Sequence, residues 1–227
     1  MEIGCCRRRS ATWYASDVAL LKTAFKSGSG SVATGPAEDV YSSKTLSKFL
    51  SFVFSRPAAE LIDLGPVIGS NIAFMGERVG CKIHVEDLYA DLDRHARDGE
   101  FDKLPEFLAT RFSLGDESID AVLCWDVFDY LGPDAGSVLA SELIRMLRPG
   151  GALLGFFGAR GSDETRYTKY FIEDESRLRY RFYVGACRRI WVLNNRDIDA
   201  LFAGLQLSDS VLMKSGVREV LFRKRLA

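Results

Sequence analysis

The sequence is poor in the residues that build metal and disulfide sites. Among 227 residues there are 2 histidines, His84 and His95, so a histidine-built metal centre is not expected. The 5 cysteines, Cys5, Cys6, Cys81, Cys124 and Cys187, are odd in number and contain no Cys-x-x-Cys pair. That argues against a disulfide scaffold or a zinc site, and for reduced thiols in a cytoplasm. No apolar run approaches the roughly 20 residues that span a bilayer. Met1 to Ser10 is polar and arginine-rich with no apolar core after it, so no secretory signal is expected. Charge of one sign is also lacking. The formal net charge is -1, so no global field draws the chain to nucleic acid or to a membrane.

What is present suits one sizeable α/β domain with a small appendage. Residues 1–37 read as a flexible extension and linker. Cys5-Cys6-Arg7-Arg8-Arg9 reads as a solvated terminus in preference to an acylated basic anchor. A short helix is expected over Ser16 to Lys26, and Ser27 to Pro36 has linker composition. From residue 38 the pattern is ordered. Leu46, Phe49, Leu50, Val53 and Phe54 recur at helical spacing up to Pro57, and this helix is expected to lean on a sheet edge. Apolar strands are expected at Leu61 to Leu64, Lys82 to Val85, Ile119 to Trp125 and Ala152 to Phe157. Helices are expected between them, over Ile72 to Val79, Asp91 to Arg97, Leu104 to Thr110 and Ala135 to Leu147. Such alternation implies a parallel sheet with right-handed crossovers. The tail differs. A helix over Ile198 to Leu205 is followed by strands at Leu207 to Met213 and Glu219 to Phe222, an antiparallel hairpin closing the sheet.

The chain is organised around Glu60 to Asn71. A buried strand ends in Asp63, turns at Gly65, and enters a helix near Gly69. Open α/β sheets bind ligands at the carboxyl ends of their strands. Glu86 ends the second strand about 20 residues after the turn, where an acid of this fold class can reach a ligand's ribose hydroxyls, and its neighbour Asp87 could do the same work.

Three stretches resemble the class I S-adenosylmethionine-dependent methyltransferases. They are Leu61-Ile62-Asp63-Leu64-Gly65, the acid at Glu86, and Ile119 to Leu131 followed by the Leu147-Arg148-Pro149-Gly150-Gly151 turn. The resemblance implies a Rossmann-like, seven-stranded, mostly parallel sheet, S-adenosylmethionine as cofactor, and methyl transfer. It also implies cofactor contacts from Asp63, Gly65, Pro66, Gly69, Glu86, Asp87, Cys124, Trp125 and Asp126. Asp126 is the carboxylate best placed as a general base, while Trp125 is equally well read as core packing. Two positions depart from the family. Val67 stands where a second glycine is usual, and no acid stands near Leu108 to Arg111, where one often meets the adenine amine.

Residues 160–191 form an insertion that could roof the site. In Arg177 to Tyr183, basic residues alternate with apolar ones, as in a strand with one wet and one buried face. Arg160 and Tyr167 are candidate substrate contacts. Arginine and aromatic interleaving also suits single-stranded nucleic acid. Glu173, Asp174 and Glu175 offset that charge, so a small-molecule acceptor is expected in preference to DNA, RNA or lipid, and an arginine of the hairpin could pair with an anionic group on it. Two other functions stay open. One is a methyltransferase-like binding or assembly module without catalysis, which Val67 favours. The other is a nicotinamide-dependent oxidoreductase, which would need a Gly-x-Gly-x-x-Gly turn that Gly65 does not begin.

Overall fold

The computed structural model describes residues 11–13, 40–79, 81–161 and 163–226. The helix expected at Ser16 to Lys26 and the linker at Ser27 to Pro36 lie outside the described residues. The strands are β1 (Ala11–Trp13), β2 (Val40–Ser42), β3 (Glu60–Asp63), β4 (Lys82–Val85), β5 (Ile119–Trp125), β6 (Leu147–Gly158), β7 (Arg166–Ile172), β8 (Arg177–Val184), β9 (Gln206–Leu212) and β10 (Val217–Arg223). The helices are α1 (Lys44–Phe54), α2 (Gly69–Val79), α3 (Leu88–Asp98), α4 (Leu104–Arg111), α5 (Pro133–Met146) and α6 (Asn195–Leu201). Seven strands form the main sheet in the order β1-β4-β3-β5-β6-β10-β9. The β4, β3, β5 and β6 strands run parallel, and β10 pairs antiparallel with both β6 and β9. This is the Rossmann-like sheet and terminal hairpin expected from the sequence.

The strands between helices are apolar throughout because both faces are covered. Alternate residues serve different cores. Ile62, Val122 and Leu153 pack with α3, α4 and α5, whereas Leu61, Leu123 and Leu154 pack with α1 and α2. In α1, Leu46, Phe49, Leu50 and Val53 are fully buried, and the helix lies over β6, β9 and β10 and not simply against an edge. Ser43 caps it, accepting from the Leu46 N–H at 2.9 Å and donating to Glu219 at 2.6 Å. Asp87 caps α3, which Gly99 ends at φ 68.

Three elements differ from the sequence-based expectation. Part of the segment read as a flexible extension is a strand, because Ala11 to Trp13 pairs antiparallel with β4 and completes that edge. The Arg148 to Gly151 turn is drawn into the start of β6, where the register with β5 shifts and Gly150 takes φ 72. The insertion hairpin, β7 and β8, builds a second sheet with β2 in the order β2-β8-β7. Asn71 of α2 ties that sheet to the glycine turn. Its amide donates to the Tyr170 carbonyl at 2.8 Å and accepts from the Ile172 N–H at 2.9 Å.

Candidate functional site

The carboxyl ends of β3, β4, β5 and β6 meet beneath the β7–β8 hairpin. At the end of β3, Asp63 is buried. Its Oδ1 accepts from the Gly65 N–H at 2.9 Å and from the Trp125 indole at 2.6 Å. Burial pushes its carboxyl up to about 6, against the pull of those two donors. Trp125 ends β5 at φ 51, a backbone region that bulky residues avoid. Its ring stacks on Tyr170 with centroids 5.1 Å apart and planes 5° from parallel, and meets Phe156 edge-on at 5.6 Å. The indole also explains Gly65, since a Cβ there would lie 2.7 Å from Trp125 Cδ1. Val67 projects to solvent, 41% exposed.

At the end of β4 the two neighbouring acids separate. Glu86 is buried beneath Arg111, whose Nη1 lies 2.6 Å from Glu86 Oε2 and whose Nε lies 2.8 Å from Asp91 Oδ2. Arg111 thus stands where the family often has an acid. Its Nη2 is buried and has no hydrogen-bond partner. Asp87 instead lines an open cleft of about 800 Å³, together with Pro66, Arg111, Phe107 and, from the hairpin, Tyr167 and Lys169.

Asp126 does not reach that cleft as a free base. It is 1% exposed. Tyr89 donates to its Oδ1 at 2.5 Å, and Arg189 donates to its Oδ2. Arg189 Nε also lies 3.5 Å from Asp129, which accepts from the Gly158 N–H at 2.9 Å. Tyr89, Tyr130 and Tyr167 close around this group in edge-to-face contacts. One guanidinium serves two buried acids, so one acid is held neutral. Burial pushes Asp129 from 3.8 up to about 8; Arg189 opposes the rise and Asp126 adds to it. The folded chain therefore keeps a proton that the unfolded chain has released. The sign follows: the Asp129 contribution to stability falls as pH climbs from about 4 to about 8. Thermal melts across that range should show this decline flattened in Asp129→Asn, and parallel pH profiles for the two proteins would contradict it.

The expected site residues are therefore divided. Pro66, Asp87 and Tyr167 line the cleft. Asp63, Gly65 and Trp125 pack together beside it, Gly69 opens α2, and Cys124 is fully buried in the core. Arg160 lies apart, in a depression of about 390 Å³ beyond Arg189. Sequence reasoning missed Arg111, Tyr89, Asp129 and Arg189. Arg111 alone left a signal, a basic residue at the position where an acid was sought. Among the described residues no cluster of His, Cys, Asp or Glu could hold a metal ion, and no helix is long and apolar enough to cross a membrane.

Residues 62–155, from within β3 to within β6, match the family model for the methyltransferase domain. No curated protein matches the chain. Among solved structures, the PH0226 protein of Pyrococcus horikoshii is 16% identical with a TM-score of 0.50, over 80% of this chain and 89% of that one. The 1,6-didemethyltoxoflavin-N1-methyltransferase of Burkholderia thailandensis is 20% identical with a TM-score of 0.46, over 80% and 77%. An S-adenosylmethionine-dependent methyltransferase from Mesorhizobium loti is 11% identical with a TM-score of 0.48, over 79% and 95%. The stretch from 62 to 155 is thus similar to a methyltransferase domain, carried on the sheet described above.

Proposed function

We propose that the chain transfers a methyl group to a small-molecule acceptor, with the adenosyl end of S-adenosylmethionine seated in the cleft between α3, α4 and the hairpin. The observation that carries this reading is the orphaned Arg111 Nη2, a buried donor on a residue of the cleft wall. A buried donor without a partner is costly, and a small swing of the guanidinium toward the cleft would bring it to a ring nitrogen or hydroxyl oxygen of a nucleoside. Asp87 supplies the complementary acceptor for ribose hydroxyls. Glu86, the first choice from the sequence, is instead committed to Arg111. The adenosyl end thus fits the residues present. On the methionine side the Trp125 indole fills the space over Gly65, and in this reading the tail displaces it.

When bound, the cofactor supplies a methyl carbon on a cationic sulfur with a neutral leaving group. The chain's own contribution is positional. It must hold an acceptor in line and keep water out, and the aromatic hairpin residues Tyr167 and Tyr183 stand over the cleft for that task. Asp126 is not free to take a proton, since both its oxygens are engaged. Its role in this reading is to orient Tyr89 on the cleft wall.

A small acceptor agrees with the charge of the hairpin. Arg177 pairs with Asp174 at 2.6 Å, and Arg179 with Glu173 at 2.7 Å. A strand whose arginines are matched by its own acids makes a poor phosphate-backbone track. The second reading, a domain that binds without catalysing, is favoured by the same Trp125 contact that obstructs the methionine end.

Calorimetry with S-adenosylhomocysteine and NAD tests the proposal. The first should bind and the second should not; binding of NAD alone would sink the reading. Asp87→Asn, whose amide oxygen can still cap α3, should weaken nucleoside binding by about 1.5 kcal/mol, the low end for hydrogen bonds to a charged group. An unchanged affinity in that variant would remove Asp87 from the site.

A further inference from the structure

Trp125 combines features that ordinary core packing does not require. It is a bulky residue at φ 51, at the end of a strand and not within a glycine-bearing turn. It is 3% exposed, yet it lies at the carboxyl edge of the sheet, where the fold opens its ligand crevice. Its indole N–H is spent on Asp63 at 2.6 Å. Its face is covered by Tyr170, a residue of the hairpin sheet and not of the main sheet. Strained backbone concentrates at functional sites, where surrounding contacts must hold it in place. Here three contacts do so: the Asp63 carboxylate, the Tyr170 ring and the Phe156 ring.

The consequence is steric. The glycine turn after β3 is the place where a ligand's chain would approach the backbone, and Gly65 already has no room even for a Cβ because Trp125 Cδ1 and Nε1 occupy it. The cleft beyond, lined by Pro66, Asp87 and Arg111, is open. Pro66, the residue after Gly65, lines that cleft, so the indole stands behind its wall at the glycine turn.

We propose that Trp125 sets the selectivity of this cleft, closing its methionine end so that the resting site takes adenine nucleosides by base and ribose, and admits the amino-acid tail only when the indole leaves. This inference rests on the adenosyl-binding reading above and deepens it. Release of the indole breaks the Asp63 hydrogen bond and the Tyr170 stack together. Asn71 holds both Tyr170 and the helix after the glycine turn, so entry of the tail is coupled to the seating of the hairpin.

The test compares adenosine with S-adenosylhomocysteine by calorimetry on the full chain, in wild type, Trp125→Gly and Trp125→Phe. Glycine tolerates the left-handed backbone and empties the space. Phenylalanine keeps a ring but loses the N–H donor. Wild type should bind the two ligands with affinities within about threefold, because the tail gains no contacts; one hydrogen bond's net worth sets that scale. Trp125→Gly should bind S-adenosylhomocysteine at least about tenfold more tightly than wild type does, with adenosine changed by less than about threefold. Trp125→Phe should lie between, raising the ratio of the two affinities by about threefold, and it carries the test if the glycine variant does not fold. If wild type already binds S-adenosylhomocysteine about tenfold more tightly than adenosine and neither variant alters that ratio, the selectivity role of Trp125 is overturned while the adenosyl site stands. If no variant binds either ligand, both readings fall.

Discussion

Replacing Arg189 by methionine lowers the unfolding free energy by about 3–5 kcal/mol, the cost of removing one partner from a buried charge cluster. The size follows from what the guanidinium leaves behind. Asp126 and Asp129 are each 1% exposed, and Arg189 is the cation that both share. Without it, the buried pair of acids loses the one cation that compensates it, and the charge it carries is left away from water. Urea unfolding measures the effect as a lower midpoint at unchanged slope. Adding Asp126→Asn and Asp129→Asn to the Arg189→Met chain should restore much of the loss. A single Arg189→Met variant as stable as wild type would mean that the cluster is solvated and the tyrosine cage around it is open.

Glu86→Ala is expected to cost about 3 kcal/mol of stability, at the lower end of the range for a broken buried pair because Asp91 remains beside the guanidinium. The side chains of Arg111 and Glu86 are 6% and 10% exposed, so the remaining charge has little water to turn to. Arg111 already carries one unsatisfied nitrogen, and this substitution would add a second. The comparison with Asp87 makes the result diagnostic. If Glu86 were a ribose ligand, its loss would weaken nucleoside binding and leave the melting curve alone. As a buried counter-ion it does the reverse in first order, and thermal denaturation of the ligand-free chain separates the two. Glu86→Ala combined with Arg111→Met should be more stable than Glu86→Ala alone.

The sheet was legible because its signals are local and repeated. Four apolar strands between amphipathic helices leave few topologies, and the Asp63 to Gly65 turn marks where a ligand crevice opens. The site was legible in position but not in detail. Glu86 and Asp87 have the same charge and adjacent numbers; which one faces the cleft depends on Arg111, a residue 25 positions further along the chain. Asp126 was correctly located at the end of β5 but not foreseen as enclosed, because Tyr89 and Arg189 reach it from separate elements. Composition gave no hint that Ala11 to Trp13 would join the sheet. Three residues carry too little pattern, and their pairing is decided by the vacant edge of β4.

That edge has a consequence for how the molecule keeps to itself. An open β4 would offer a row of backbone donors and acceptors at the rim of the parallel half of the sheet, the kind of template on which another chain can add a strand. Ala11 to Trp13 occupies that row with three paired residues, from Ala11 opposite Val85 to Trp13 opposite Ile83. The strand runs against the direction of its neighbour, so it ends the parallel order there and does not extend it. In this chain the edge of β4 is covered by a piece of sequence far from it along the polypeptide, and that side of the sheet is completed by pairing across space.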